Sequence, residues 1–292
     1  MALAVLCILS GTSWVIPGGM ANELPPLERQ SLLFGGVGSV ALVFAGRRLW
    51  FQIGRLRWIL LAAAAVGFFG VPIVVAEYVQ GSVPATGRSA LFAMVPVVVV
   101  LVVAAGDEAE REQSRARKLL LPALTGLGGL LLLLPLDFSG SVRGYLMLAL
   151  VCAAVILAGA ASVWLHRLLR GLRLAEAIAI VGLSNAIFLL GSSVAHEDLV
   201  RQWGGLGSIL SISSLVDVVE VLLIVWLLRE MLPTRFAARY LLIPLVTVLE
   251  GYALVRPEWS VRMVFGTLLL AGGAGVLLFW KAGEEETALS LR

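Results

Sequence analysis

The chain has 292 residues, of which 60% are hydrophobic and 14% charged, with a formal net charge of +3; an average soluble domain carries roughly 25% charged residues. A soluble globule of this length cannot hide so much apolar side chain, which excludes a cytosolic enzyme, a disordered chain and an ordinary nucleic-acid binder. Cys7 and Cys152 both lie in apolar runs, and the only histidines are His166 and His196, so neither a disulfide framework, a metal cluster nor a cofactor site is expected.

A membrane-spanning helix needs about 20 mostly apolar residues. Ten such runs follow one another along the chain: 2–20, 28–46, 57–79, 84–105, 117–136, 143–166, 173–195, 205–229, 235–255 and 259–281. The first lacks the basic leader of a signal peptide and reads as a retained span. It carries Ser10, Ser13, Trp14 and Pro17 on one stripe, either a cavity wall or, for Trp14, an interface anchor. Between the third and fourth runs, Glu77 and Arg88 flank a short turn and read as an outer gate, with Arg88 as a carboxylate binder, or as a hairpin salt bridge. Pro84 opens the fourth run and Pro96 sits within it as a hinge. Gly126, Gly128 and Gly129 in the fifth run, and Gly272, Gly273 and Gly275 in the tenth, are the small residues that let helices approach closely. His166 and His196 fall at run ends and are expected to be solvated. Asn185 stands mid-span in the seventh run, lining a cavity or joining helices.

The eighth run holds the sharpest signal. Ser213, Asp217 and Glu220 are spaced i, i+4 and i+7, within about 60° on one helical face. Asp217 falls about 18 Å down its run, near the middle of a bilayer. A carboxylate there costs roughly 2.5–3.5 kcal/mol, and such groups are functional by default. Two acids on one face repel, so one is expected to keep its proton. They form a proton-coupling or cation-recognition pair facing a polar cavity, or a pair satisfied by hydrogen bonds between helices. In the ninth run Thr247 and Glu250 follow Pro244, whose missing N–H loosens the helix; this is a cavity wall with a hinge, unless Glu250 turns outward to Arg256.

Basic residues prefer cytoplasmic loops. With ten spans and both termini inside, sixteen of the 22 Lys and Arg residues fall on the cytoplasmic side. Spacings also repeat. Pro96 and Pro244 are 148 positions apart, Gly128-Gly129 and Gly272-Gly273 are 144 apart, and Trp14 and Trp164 are 150 apart. Each half therefore reads as five spans, at 1–140 and 141–281, with a cytoplasmic tail at 282–292. Five is odd, so the second half has inverted topology. The fold class is an all-α membrane protein of ten transmembrane helices in two inverted five-helix repeats. Secondary transporters commonly have this architecture.

Gly11-Thr12-Ser13-Trp14, Val83-Pro84-Ala85 leading to Met94-Val95-Pro96, Leu241-Leu242-Ile243-Pro244 and Gly266-Thr267-Leu268 stand in the order and spacing of a known family. The chain resembles the EamA-like branch of the drug/metabolite transporter superfamily over nearly its whole length. It departs from it at Ser10, where a Trp is frequent, and in the second span, where the frequent Arg is absent and Arg29 stands nearer the start. The resemblance implies alternating-access transport of a small organic metabolite, an amino acid or an amphipathic compound across the inner membrane. Direction, proton coupling and monomer or homodimer state stay open. The partners expected are the small-molecule substrate and the lipid bilayer, with no nucleic acid. A flippase for a lipid-linked substrate is the nearest alternative. An intramembrane enzyme is further away, because the chain has no HExxH or GxSxG element and no catalytic residue is assigned.

Overall fold

The computed structural model describes residues 1–12, 24–46, 54–106, 110–134, 141–196, 212–255 and 260–280. Their regular structure is helical: α1 (Ala2–Thr12), α2 (Pro26–Ala45), α3 (Arg55–Ala65), a π-turn (Val66–Gly70), α4 (Val71–Tyr78), α5 (Ala85–Phe92), α6 (Val95–Ala105) and α7 (Glu110–Leu133). There follow α8 (Val142–Leu169), α9 (Leu174–His196), α10 (Ile212–Glu230), α11 (Pro233–Ala237), α12 (Arg239–Val255) and α13 (Val261–Phe279).

Six stretches of the described residues are long and apolar enough to cross a membrane: Arg55–Tyr78, Gly87–Ala105, Val142–Leu169, Leu174–Ala195, Pro233–Leu254 and Val261–Phe279. Ten runs were expected. The fully described parts of α1, α7 and α10 are each shorter than a span, and Glu28 and Arg29 lower the hydropathy of α2.

Helix boundaries follow from proline and cap chemistry. Pro26, Pro72, Pro96 and Pro233 each lie in the first two positions of a helix, where no backbone donor is needed. Ser141 and Ser260 cap α8 and α13 by accepting from the Gly144 and Met263 amides at 3.1 and 3.2 Å. At the head of α9 the Arg173 amide donates to Glu176 Oε2 at 2.9 Å, the carboxylate half of a capping box.

Two expected continuous runs are broken. The fourth interrupts at Ala93-Met94, just before Pro96, whose missing N–H removes the hydrogen bond that would continue the helix back to Phe92. The ninth interrupts at Ala238, while Pro244 sits inside the unbroken α12. The two prolines expected as equivalent hinges thus occupy different local settings. The third run contains the π-turn, a form often found at functional sites.

The closest helix packing joins α2 to α9 and α7 to α13. Both pairs are antiparallel: Ser31 meets Ala186 while Gly38 meets Gly182, and Gly126 meets Gly273 while Gly129 meets Leu270. Glycine permits both crossings, since a Cβ at Gly182 would lie 2.6 Å from Gly38 Cα, and one at Gly273 2.5 Å from Gly126 N. A second pattern links α1 to α12 and α6 to α8. A Cβ at Gly11 would lie 2.6 Å from Val246 Cγ1, and one at Gly159 2.6 Å from Val98 Cγ1. Gly11 and Gly159 are 148 positions apart, as are Val98 and Val246.

Two apolar cores result, one centred on Phe34, Phe68, Leu165, Leu189 and Phe236, the other on Val95, Leu130, Val151, Leu241 and Leu270. Each draws side chains from both sides of residue 140. The outside is apolar too: Val43, Phe44, Tyr145, Leu146, Ile187 and Phe279 are exposed. Large side chains of this kind on the surface suit contact with lipid.

Candidate functional site

α10 carries the acids of the site, and helices from both halves bring partners to it. Asp217 is not left to repel Glu220 alone. Arg29 of α2 donates from Nη2 to Asp217 Oδ2 at 2.7 Å, and both side chains are about three-quarters buried, at 24% and 29% exposure. Three residues further along, Glu220 takes a hydrogen bond from the Ser10 hydroxyl of α1, with Asp217 and Arg239 within electrostatic reach. The i, i+3 spacing of Asp217 and Glu220 puts them on one face, as expected, but each meets its own partner. A neutral hydroxyl satisfies one acid and a guanidinium the other.

Arg239 is the residue that sequence reasoning missed. It stands at the break between α11 and α12, is 7% exposed, and points into an aromatic cage. Its Cζ lies 4.5 Å from the Phe236 ring centroid, 4.6 Å from that of Tyr240 and 5.2 Å from that of Phe68. Nη2 donates to Tyr240 Oη at 2.8 Å, and Nε is buried without a hydrogen-bond partner among the described residues. No ion pair to Arg239 occurs among them. Burying an ion costs several kcal/mol even after relaxation, whereas a cation–π contact returns about 0.5–2 kcal/mol. The cage therefore offsets only part of the cost. The signal was present in the sequence: Arg239 lies inside the 235–255 run, and a charge inside a span is a functional marker. Counting it among the cytoplasmic basic residues hid it.

The π-turn supplies the cage's far wall. Phe68 stacks edge-on with Phe69 at 4.6 Å and lies 6.2 Å from Phe236, while Phe69 packs against Phe34 at 5.5 Å. Asn185 of α9, fully buried, braces this segment. Its Nδ2 donates to the Ala65 carbonyl at 3.3 Å and to that of Val181 at 2.8 Å. Asn185 therefore joins helices. Its Oδ1 is buried with no hydrogen-bond partner among the described residues.

The remaining expected residues are more scattered. Thr247 donates to the Gly11 carbonyl of α1 at 3.2 Å and to Ile243 at 3.1 Å, so it ties α12 to α1 close to Ser10. Glu250 is half-buried three residues further along α12. Glu77 and Arg88 do not form the expected salt bridge: Arg88 Nη1 donates to the Ala76 carbonyl at 2.9 Å, one of the orphan acceptors in the last turn of α4. His166 is not solvated either. It is 4% exposed, and its Nδ1 donates to the Leu228 carbonyl at 2.6 Å, which ties α8 to the end of α10. Ser13 and Trp14 lie outside the described residues, as does the side chain of Ser213, whose backbone is helical in α10.

No family model and no curated protein matches the chain. It does resemble a solved structure described only as "Crystal structure of protein", with a TM-score of 0.69 over 96% of this chain and 97% of that one, at 17% identity. At that identity the likeness is one of fold. Among its described residues the chain thus has a helical, apolar, membrane-like architecture, compatible with a membrane transporter.

Proposed function

We propose that the chain is a secondary transporter of ten spans, built as two inverted five-helix repeats and related at a distance to the EamA-like drug/metabolite transporters. It carries a small organic compound across the inner membrane by alternating access, with both termini cytoplasmic. The observation that carries this reading is the pairing of α2 with α9 and of α7 with α13. In each pair the partners are counterparts under a five-span repeat, and they run antiparallel, as inverted topology requires. Parallel repeats would align them. The matched contacts Gly11 with Val246 and Gly159 with Val98 support the same relationship.

The cargo path in this reading passes the Asp217 face of α10. Discontinuous spans commonly border the substrate site in such folds, and Arg239 stands directly after the break at Ala238. The test is a thermal-stability screen of the purified protein against metabolite classes, since a binder stabilises by mass action. Compounds that stabilise are then assayed for counterflow in proteoliposomes. Exchange of a stabilising compound across sealed vesicles supports the reading. Stabilisation without exchange by any compound, at protein densities where a control transporter works, overturns it.

A further inference from the structure

Arg239 is a cation more than nine-tenths buried, with an unpartnered Nε and no ion pair among the described residues. Around it are three aromatic faces, and Ser10, Cys7 and Glu220 lie close by. An arginine in this state has spare fork geometry, and a carboxylate fits that fork through two parallel hydrogen bonds. The repeat makes the placement telling. At the 148-residue offset that relates Pro96 to Pro244, the counterpart of Arg239 is Leu91. The fold is therefore satisfied by an apolar residue at this point in one half and carries a buried charge in the other. The ninth run also interrupts here, at Ala238, rather than at the counterpart of the fourth run's break. The buried charge and the position of the break distinguish this half from the other.

We propose that Arg239 anchors an anion-binding site, and that its ligand is a small organic carboxylate with an apolar body. On binding, the carboxylate takes the Nε edge of the guanidinium, which is covered and without a hydrogen-bond partner among the described residues, and the Phe68, Phe236 and Tyr240 rings supply a dry, apolar surround. Glu220 lies within electrostatic reach of Arg239 without forming an ion pair to it, and the Ser10 hydroxyl donates to its carboxyl group. This assignment rests on the transporter reading for its biological role, but the binding site stands or falls separately.

The test compares 3-phenylpropanoate with 3-phenylpropanamide on the purified full chain in detergent. The two share shape and apolar area and differ in charge. Sodium sulfate and sodium phosphate, at matched ionic strength, separate a carboxylate site from a general oxyanion site. The carboxylate is expected to raise the thermal midpoint in a saturable manner, while the amide and the inorganic anions do not. Arg239→Lys should weaken binding about tenfold or more, because a point charge cannot reproduce the bidentate contact, and Arg239→Met should abolish it. Arg239→Met should also fold, with a midpoint in the absence of ligand at or above that of the parent chain, because it removes an uncompensated buried charge. Equal stabilisation by carboxylate and amide, carboxylate binding that survives Arg239→Met, or an Arg239→Met protein that is unstable or unfolded each overturns the proposal and makes Arg239 a packing residue. Stabilisation by sulfate or phosphate as strong as by the carboxylate overturns the organic-carboxylate assignment. Counterflow of an uncharged compound that is insensitive to Arg239→Met leaves the transporter reading standing and removes the anion site. Arg239-dependent carboxylate binding without any vesicle exchange does the reverse.

Discussion

Arg29 Nη2 and Asp217 Oδ2 meet at 2.7 Å, although 188 residues separate them in the chain. The pair ties the start of α2 to the second turn of α10. Because both side chains are partly exposed, its contribution is modest, on the order of 1 kcal/mol. Asp217→Asn and Arg29→Gln should each lower the thermal midpoint by a few degrees, with the double variant little worse than either single one. A double-mutant cycle in detergent reads this coupling directly. Strictly additive losses would show that the contact carries no energy.

The different partners of the two acids separate their expected roles in transport. Asp217 has a fixed cation as its counter-charge, whereas Glu220 has a hydroxyl hydrogen bond from Ser10. If the cycle moves a proton, Glu220 is the group free to exchange it. Glu220→Gln should then abolish accumulation driven by a pH gradient while leaving passive exchange intact. Asp217→Asn should slow both modes without uncoupling them. Uptake into vesicles, with and without an imposed gradient, distinguishes these outcomes. Retained gradient-driven accumulation in Glu220→Gln would remove the acid from any coupling role.

Neighbouring glycines should differ sharply in tolerance. A Cβ at Gly129 would lie 2.5 Å from the Leu270 backbone N, and one at Gly273 equally close to Gly126 N, whereas Gly128 and Gly272 have nothing within 4 Å. Gly129→Ala and Gly273→Ala should each cost about 1–3 kcal/mol by forcing α7 and α13 apart. Gly128→Ala and Gly272→Ala should be neutral, or slightly stabilising because alanine favours helix. Thermal midpoints of the four variants decide this. Equal effects at adjacent positions would contradict the crossing geometry.

Asn185 braces the π-turn through the Ala65 carbonyl. Asn185→Leu removes that donor and places a larger apolar group beside Gly70, where space is already short: a Cβ at Gly70 would lie 2.6 Å from Phe188 Cδ1 and 2.9 Å from Asn185 Oδ1. The expected cost is roughly 1–3 kcal/mol from the unsatisfied carbonyl, together with a weakened site at Arg239, because Phe68 sits in the same turn. A variant with unchanged stability would show that the turn does not depend on this bond.

Orientation is testable without function. Single cysteines at Arg57, Lys118, Arg170 and Arg229 should react only with a membrane-permeant reagent in intact cells. Cysteines at Arg88, Arg143 and Arg262 should react with an impermeant one, as the basic-residue bias requires. A mixed pattern would break the ten-span count.

What the chain alone determined is local in origin. The 60% hydrophobic content and the spacing of apolar runs decide that this is a helical, membrane-like protein. Hydropathy and proline chemistry act within one or two helical turns, so the helix starts at Pro26, after Pro84 and at Pro233 were legible. The shared face of Asp217 and Glu220 was legible as well, because helix periodicity is a property of one segment. Partners were not. Whether Asp217 faces Glu220 or Arg29, whether Gly128 or Gly129 sits in a crossing, and whether Arg239 lies in a loop or in an aromatic cage depend on how separate helices rotate and cross. Those angles are set by close packing over the whole bundle, through contacts such as Gly38 against Gly182, and no local rule contains them. Only the tertiary structure closes the cage: Phe236 and Tyr240 stand three residues before and one after Arg239, but Phe68 reaches it from the distant π-turn.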